Sequence, residues 1–367
     1  MKITRITTYQ VDLPRDRAYK LSSGVTTSNF DTTVVMVETD AGIIGLGEIC
    51  PFGRVYLPAY AAGARTGLAE LAPRLIGLDP REFDVVNRTM DETLNGHPYV
   101  KSALDIACWD ILGQAAELPD CTLLGGRFGE EVTLYQSIPH DTPQAMVSAL
   151  VEARAEGFRR YQPKVGGEPD TDIDRIHAIV AELRAGEVAV FDANGSWLPH
   201  EAARVVAACR GLDIYIEQPC TTYEECLTIR RRTDLPFILD EVIDSIPALI
   251  RAHHDGAMDA VNLKLSKVGG LTQARRFRDL CVAMGIAMTL EDSGGGAIIA
   301  AAIAHLSHST PQHYRFGSAS GFFKMKVVIA DGAPEIRDGR VSASDKPGLG
   351  LTPRPDSWGD PVMDTAR

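Results

Sequence analysis

The sequence lacks an apolar run long enough to cross a membrane. No stretch approaches the roughly 18 consecutive apolar residues of a transmembrane helix. The first residues alternate as in a β-strand rather than as in a signal peptide. We therefore expect a protein that makes no use of a membrane and that is located in the cytoplasm.

Basic residues are also in short supply. The formal net charge is -12, whereas binding to a nucleic-acid backbone requires clustered lysine and arginine. The short basic clusters at 230–232 and 275–276 are more simply explained as solvated helix faces. We expect no nucleic-acid partner.

The cysteines and histidines lack the spacing of a metal or redox motif. There are 7 cysteines, an odd number, and no two of them are separated by only two residues. The 9 histidines do not form a cluster of potential ligands. We expect reduced, mostly buried cysteines, with neither a zinc site nor a disulfide framework.

Length and composition indicate an ordinary globular enzyme. With 367 residues, the chain exceeds the size of roughly 250 to 300 residues at which a single core stops growing. Hydrophobic residues make up 45% and charged residues 23% of the chain, which excludes a mainly disordered protein. One large domain with a smaller one is therefore expected.

Six ionisable side chains recur at near-constant spacing, each at the carboxyl end of a short apolar run. Successive members are 23 to 28 residues apart, about the length of a strand, a helix and two loops. The stretches between them are helix-like. The pattern predicts an α/β fold in which βα units form one parallel barrel, with these residues at the face where barrels keep their chemistry. They are Lys164, Asp192, Glu217, Asp240, Lys264 and Asp292.

The regions on either side of this repeat are organised differently. Residues 1–125 begin with strand-like alternation and continue into helices, which predicts an α+β domain. Residues 126–316 carry the βα repeat, and residues 317–367 contain only short strands and turns. We expect this last segment to pack back on the first domain.

Short motifs occur in order along both parts of the chain. In the first part they are Gly45-Leu-Gly-Glu48, the run from Lys101 to Asp110, and Leu123-Leu-Gly-Gly126. In the second they are Gln162-Pro-Lys164, Asp192-Ala-Asn194, Ile216-Glu-Gln-Pro219, Leu239-Asp-Glu241, and Asn262-Leu-Lys264 with Gly269-Gly270. With these motifs the sequence resembles the enolase superfamily, in the subgroup of muconate-lactonising enzymes. The resemblance implies a (β/α)7β TIM-like barrel under an α+β capping domain made from both chain ends.

The resemblance also implies that Asp192, Glu217 and Asp240 hold Mg2+. The residue types agree, because carboxylates from three consecutive strands make a hard oxygen site suited to this ion. Asn194 is expected to support the metal ligands, since it lies two residues beyond one of them. Glu241 directly follows Asp240 and should point to the other face of the strand, so we give it a supporting role as well.

Lys164 and Lys264 are the expected catalytic residues. They end the second and sixth strands in a ring of eight and therefore lie on opposite sides of the cavity. A carboxylate substrate between them can lose its α-proton to either face, giving an enediolate that the metal stabilises. To act as a base, such a lysine needs its pKa lowered from about 10.4 towards roughly 7 to 8. Burial and Mg2+ would both act in that direction.

The surroundings of the two lysines most resemble the branch of the subgroup that acts on hydroxyproline and its betaine. Gln162 replaces the first lysine of the Lys-x-Lys motif found in many relatives, and an Asp-x-Asp typical of dipeptide epimerases is absent after the eighth strand. Betaine epimerases place a tryptophan near this position to stack on a quaternary ammonium, whereas this chain has Ser320. The difference disfavours a betaine and favours a secondary amine such as 3-hydroxyproline. We expect Gln162, Asp292 and Tyr56 to contact the substrate, although Tyr56 could equally pack on the barrel rim.

The expected reaction is the Mg2+-dependent dehydration of cis-3-hydroxy-L-proline. The alternative is 2-epimerisation or racemisation of proline, hydroxyproline or its betaine, since α-proton abstraction is common to both reactions. Acid-sugar, cycloisomerase or N-acylamino-acid activity stays open, as does a Schiff-base aldolase with a strand-end lysine. The expected partners are a small-molecule carboxylate and further copies of the chain in a homo-oligomer.

Overall fold

The computed structural model describes residues 1–22, 24 and 26–366, with the backbone alone at 16–19. Along the chain it contains an antiparallel sheet with helices, a parallel barrel and an irregular C-terminal segment. Within the described residues, none of the helices combines the length and the apolar character needed to span a membrane.

A four-stranded antiparallel sheet, here called the capping sheet, joins the two ends of the chain. One face carries Ile6, Val35 and Val37, which pack with the helices of the same domain. The other face carries Leu13 and Val34, which belong to the core shared with the barrel. In spatial order the strands are Pro361–Ala366, Ile3–Lys20, Thr26–Thr39 and Ile44–Ile49.

The capping helices follow the sheet in sequence, and one of them crosses the strand Ile44–Ile49 at very close range. A Cβ atom at Gly47 would collide with the backbone of Ala103, and one at Gly45 would collide with the backbone of Ala107. Glycine is therefore required where the helix lies on the strand. The helices are Ala61–Leu75, Phe83–Thr93, Pro98–Ala116 and the short Asp120–Leu123.

The second part of the chain is a ring of eight parallel strands, which we call barrel strands one to eight. A parallel bridge between Tyr135 and Ala319 joins the last strand to the first. The strands are Gln136–Ile138, Arg160–Pro163, Val188–Asp192, Tyr215–Glu217, Phe237–Leu239, Ala260–Lys264, Ala287–Glu291 and Arg315–Ser318.

Helices connect all consecutive barrel strands, as is usual for crossovers between parallel strands. Seven connections between eight strands give the predicted (β/α)7β barrel, and this fold class is confirmed. The connecting helices are Pro143–Ala155, Pro169–Glu182, Pro199–Ala208, Tyr223–Arg230, Ile246–His254, the pair Leu265–Val268 and Leu271–Met284, and Ala297–His308.

The C-terminal segment touches both parts of the molecule. Its short strand Arg340–Val341 pairs with Val132–Thr133 at the start of the barrel. Its last strand, Pro361–Ala366, pairs antiparallel with Ile3–Lys20 in the capping sheet. The division of the chain at residues 125 and 316 stays our proposal.

Candidate active site

The carboxyl ends of the barrel strands surround a cavity that the capping domain covers. Its volume is about 210 Å³, which is below the roughly 300 Å³ of the smallest typical drug-sized pockets. Phe30, Phe52 and Tyr56 line it from the capping domain, and Gln162, Lys164, Asp192, Lys264, Glu291 and Asp292 line it from the barrel. The cavity therefore suits a small polar molecule.

Lys164 lies directly after barrel strand two and is 5% exposed. Its backbone forms a parallel bridge with Asp192 at the end of strand three. Because the two residues are in register, their side chains enter the barrel together, and the ammonium group forms an ion pair with the Asp192 carboxylate.

Lys264 occupies the equivalent place at the end of strand six and is 3% exposed. Its ammonium group pairs with Asp240 and contacts the hydroxyl of Tyr56. It also lies 3.5 Å from Glu291 and 4.8 Å from the centre of the Tyr56 ring. Tyr56 thus enters the site instead of packing only on the rim.

The carboxylates around Lys264 act against the expected lowering of its pKa. Burial does lower the pKa of Lys264, but the carboxylates of Asp240, Glu291 and Glu241 outweigh it and raise that pKa well above its usual value. The expectation from sequence counted burial and the charge of bound Mg2+, but not the number of acids that surround this amine. Three neighbouring carboxylates favour the charged ammonium.

The three predicted metal ligands lie at or directly after the ends of consecutive strands and accept hydrogen bonds from N–H donors. The Glu217 carboxylate accepts hydrogen bonds from Gln162 Nε2 and Asn262 Nδ2, both at 2.9 Å. Asp192 Oδ1 accepts from the backbone of Asn194 at 2.8 Å. Asp240 Oδ1 accepts from the buried ammonium of Lys267 at 2.8 Å. Each acid is therefore oriented by at least one neighbour.

Within residues 1–22, 24 and 26–366, no three His, Cys, Asp or Glu side chains are drawn together into a ready-made coordination sphere. The reason is local, because Asp192 and Asp240 are turned towards Lys164 and Lys264. Burial, and then the charges of Asp192 and Asp240, raise the pKa of Glu217 well above its usual value. The negative charges at this point of the barrel are thus close enough to repel each other.

The chemistry of the donors fits Mg2+. The candidate ligands offer oxygen atoms alone, as a hard cation prefers. If all are ionised, five buried carboxylates face three buried lysines, an excess of negative charge that a divalent cation would balance. The acids are Asp192, Glu217, Asp240, Glu291 and Asp292, and the lysines are Lys164, Lys264 and Lys267.

Asn194 and Glu241 lie beside the candidate metal ligands. The side-chain amide of Asn194 donates to Asp192 at 2.9 Å and to Glu241 at 3.1 Å. Glu241 therefore does not point away from the site as we expected, because barrel strand five ends at Leu239 and strand alternation no longer applies. Burial, with Asp240 and Asp192, raises the pKa of Glu241 to about 7.

All three predicted substrate contacts already bind protein groups, and the Tyr56 hydroxyl does so with Asp240 and Lys264. The Gln162 amide donates to Glu217, so it orients a candidate metal ligand. Asp292 lines the cavity, but its carboxylate accepts from the backbone and hydroxyl of Ser266 and from the backbone of Ser293. Burial raises the pKa of Asp292 to about 6. A role for any of these three residues in substrate binding stays a prediction.

Sequence reasoning missed Glu291, Asn262 and Tyr135. Glu291 is the last residue of strand seven and directly precedes Asp292, which we chose as the strand-end acid. The Asn262 amide donates to Glu291 at 2.8 Å as well as to Glu217, and the Tyr135 hydroxyl donates to Glu291. Asn262 stands two residues before Lys264, a period-two spacing that could have identified it.

Comparison with known proteins supports the membership in the enolase superfamily that the sequence motifs indicate. The family model described as mandelate racemase / muconate lactonizing enzyme, N-terminal domain, matches residues 4–125, and the model described as enolase C-terminal domain-like matches residues 145–357. The chain is 53% identical to the cis-3-hydroxy-L-proline dehydratase of Roseibium aggregatum over 99% of both chains.

Solved structures share the fold along the full chain. A member of the enolase superfamily from Roseovarius nubinhibens ISM, complexed with magnesium, is 43% identical with a TM-score of 0.94 over 100% of both chains. The N-succinyl Arg/Lys racemase from Bacillus cereus is 27% identical with a TM-score of 0.93 over 100% of this chain and 99% of that one. The chain therefore belongs to the mandelate racemase/muconate lactonizing enzyme family of the enolase superfamily.

Proposed function

We propose that this protein is a Mg2+-dependent dehydratase of cis-3-hydroxy-L-proline. The observation that carries the proposal is the placement of two buried lysines on barrel strands two and six, with carboxylates on the strands between them. The 53% identity to the cis-3-hydroxy-L-proline dehydratase of Roseibium aggregatum supports the choice of substrate.

Asp192, Glu217 and Asp240 are the residues that would hold Mg2+. When bound, Mg2+ supplies positive charge that stabilises the second negative charge formed on the substrate carboxylate as the α-proton leaves. Gln162 and Asn262 hold Glu217, and Asn194 holds Asp192, so these amides keep the carboxylates in place.

The two lysines fit the stereochemistry of this substrate. In cis-3-hydroxy-L-proline the hydroxyl and the carboxylate lie on one face of the ring, so the α-hydrogen lies on the opposite face from the hydroxyl. One lysine takes the α-proton, and the other gives a proton to the hydroxyl as the C3–O bond breaks. A C2=C3 double bond forms and water leaves. Two lysines on opposite sides of the cavity, one acting as the base and the other as the acid, match this anti elimination.

Asp292 and Tyr56 are the proposed substrate contacts from two sides of the cavity. The buried carboxylate of Asp292 suits the secondary ammonium group of a proline-type ring, which it would pair with. Burial, and then the charge of Asp240, raise the pKa of Tyr56 well above its usual value, so this residue stays a neutral hydroxyl that accepts from Lys264 and donates to Asp240.

Epimerisation at the α-carbon is the second candidate function. It uses the same two lysines, because one takes the proton and the other returns one to the opposite face. The chain is 31% identical to an N-succinyl-L-Arg/Lys racemase of Bacillus cereus over 84% of its length. The absence of a 3-hydroxyl on the substrate would convert dehydration into this reaction.

One NMR experiment separates these functions. The enzyme is incubated with Mg2+ in deuterated water and with proline, cis-3-hydroxyproline, 4-hydroxyproline or their betaines. Loss of the 3-hydroxyl identifies a dehydratase, whereas α-deuteration with inverted configuration identifies an epimerase. A protein that exchanges the α-proton of none of them is not a proline-type enzyme, and trapping of substrate by borohydride would indicate a Schiff-base aldolase instead.

We also propose that the chain forms a homo-oligomer and acts in the cytoplasm on a small-molecule carboxylate. The support for a small substrate is the cavity of about 210 Å³ under the capping domain. Light scattering after size exclusion tests the assembly. A single peak at the 39.7 kDa mass of one chain would contradict it.

A further inference from the structure

The ammonium group of Lys264 has more carboxylate and hydroxyl partners than a lysine needs in order to act as a base. Its ammonium group contacts Asp240 and the Tyr56 hydroxyl, and the Glu291 carboxylate lies 3.5 Å away. Asp240 is a proposed metal ligand, so its oxygens have a second task. Glu291 has no such task, and it is the carboxylate available to orient Lys264 throughout the reaction.

The backbone places Glu291 beside Lys264 by strand register. Barrel strands six and seven are parallel neighbours in which Lys264 pairs directly with Glu291. Neighbouring residues in register direct their side chains to the same face of a sheet. Glu291 is only 5% exposed, so its position depends on the protein groups that bind it and not on bulk water.

Two donors fix the Glu291 carboxylate. Asn262 Nδ2 donates to its Oε1 at 2.8 Å, and the hydroxyl of Tyr135 donates to its Oε2. Tyr135 is itself rigidly placed, because its backbone closes the barrel through hydrogen bonds with Ser318 at 2.8 Å and Ser320 at 3.1 Å. The same Asn262 amide binds Glu217, which links Glu291 to a proposed metal ligand.

We propose that Glu291 is a positioning residue for Lys264 and that Tyr135 anchors it. This inference rests on the proposed function, since it concerns one of the two proposed bases. A lysine side chain has four rotatable bonds, and a misplacement of about 1 Å can lower a rate by about a hundredfold. A fixed carboxylate beside the amine restricts it to the orientation that faces the substrate.

The test uses the two faces of the substrate as internal references. L-proline and D-proline carry their α-hydrogen on opposite faces, so each enantiomer reports on one lysine when exchange in deuterated water is followed by NMR. K264A identifies the enantiomer that depends on Lys264, and K164A identifies the other. E291Q should slow exchange of the Lys264-dependent enantiomer by about tenfold to a hundredfold and leave the other nearly unchanged. Y135F should act in the same direction.

A matched control separates positioning from general destabilisation. Tyr161 also donates its hydroxyl to a glutamate, Glu187, at 2.9 Å, but on the outer side of the barrel, and Y161F should affect both enantiomers alike or not at all. Calorimetry with Mg2+ alone should give the same affinity for E291Q and the unmodified enzyme.

Three results would overturn the inference. The first is an equal loss for both enantiomers in E291Q, and the second is a loss confined to the Lys164-dependent one. The third is a large drop in the Mg2+ affinity of E291Q, which would make Glu291 part of the metal site. If the unmodified enzyme exchanges only one enantiomer, the two lysines do not act as bases on opposite faces and the inference fails, whereas the proposed function is rejected separately if cis-3-hydroxy-L-proline keeps its 3-hydroxyl.

Discussion

At the scale of single residues, side-chain amides orient the carboxylates of the site by hydrogen bonds, and the carboxylates in turn form ion pairs with the lysines. Asn194 has a left-handed backbone with φ of 45°, a conformation that asparagine and glycine tolerate better than other residues. That conformation lets both its backbone N–H and its side-chain amide reach Asp192. The left-handed backbone and the two hydrogen bonds together orient the carboxylate of Asp192.

Replacing Asn194 by glycine tests this support without adding backbone strain. We expect Mg2+ to bind about 10- to 100-fold more weakly, the usual effect of removing a residue that orients a metal ligand. Calorimetry measures the affinity. Asp338 has a similar φ of 48° and is exposed, so D338G is a matched control that should bind Mg2+ normally. An unchanged Mg2+ affinity in N194G would show that the Asn194 side chain does not support the metal ligand Asp192.

Asp292 carries the prediction about the substrate amine. D292N should weaken inhibition by L-proline about 10- to 100-fold, because a hydrogen bond to a charged group contributes about 1.5 to 3 kcal/mol. Tetrahydrofuran-2-carboxylate has the same ring and carboxylate without the ammonium group, and its inhibition constant should hardly change. Equal weakening of both inhibitors would mean that Asp292 only supports Ser266 and Ser293.

At the scale of elements, the helix Pro98–Ala116 crosses the strand Ile44–Ile49 so closely that the strand has no space for a side chain at Gly47. We expect G47A to lower the free energy of unfolding by more than about 2 kcal/mol, because an added Cβ meets backbone that has no free space. Urea unfolding measures the change. G321A is the control, since a Cβ at Gly321 meets nothing within 4 Å, and equal stability of the two variants would contradict the argument.

The elements that sequence predicted well are those with strong periodicity. The barrel strands end in a regular series of ionisable residues, so their order followed from spacing, and the ring of eight strands implied by the resemblance then predicted that Lys164 and Lys264 lie on opposite sides. The choice between Glu291 and Asp292 did not, because alternation becomes ambiguous where a strand ends. Only the register between strands six and seven pairs Glu291 with Lys264, and register cannot be obtained from one strand's sequence.

Tyr56 and Glu241 were difficult for a related reason. Tyr56 lies outside regular helix or strand in the capping domain, so no periodicity indicated which way its side chain points. Glu241 lies just past a strand of only three residues. In both cases the contacts that decide the orientation come from residues distant in sequence, namely Asp240 and Lys264 for Tyr56 and Asn194 for Glu241.

At the scale of the whole molecule, a buried histidine joins the three parts of the chain. His305 lies in the helix Ala297–His308, its Nδ1 accepts from the backbone of Cys121 at 3.1 Å, and its Nε2 lies 3.2 Å from the carbonyl of Leu349. These contacts require the neutral ring with the proton on Nε2. Burial lowers the pKa of His305 to about 4.

This histidine makes the fold sensitive to acid. In the unfolded chain the ring takes up a proton near pH 6.5, whereas in the folded protein it stays neutral until about pH 4. Its stabilising effect is therefore complete above pH 6.5 and is lost as the pH falls to 4, by about 3 kcal/mol in all. Urea unfolding between pH 4 and 7 should show that the free energy of unfolding of H305Q falls less steeply as the pH is lowered. The difference in slope should correspond to about one proton. An identical slope in both proteins would contradict this account.

The central claim concerns the whole site, and NMR of cis-3-hydroxy-L-proline in deuterated water tests it most directly. Enzyme stripped with EDTA should leave the substrate unchanged, and addition of Mg2+ should restore loss of the 3-hydroxyl, because the buried carboxylates then have their cation. Loss of the hydroxyl at the same rate with and without Mg2+, or an intact substrate in both samples, would contradict the account.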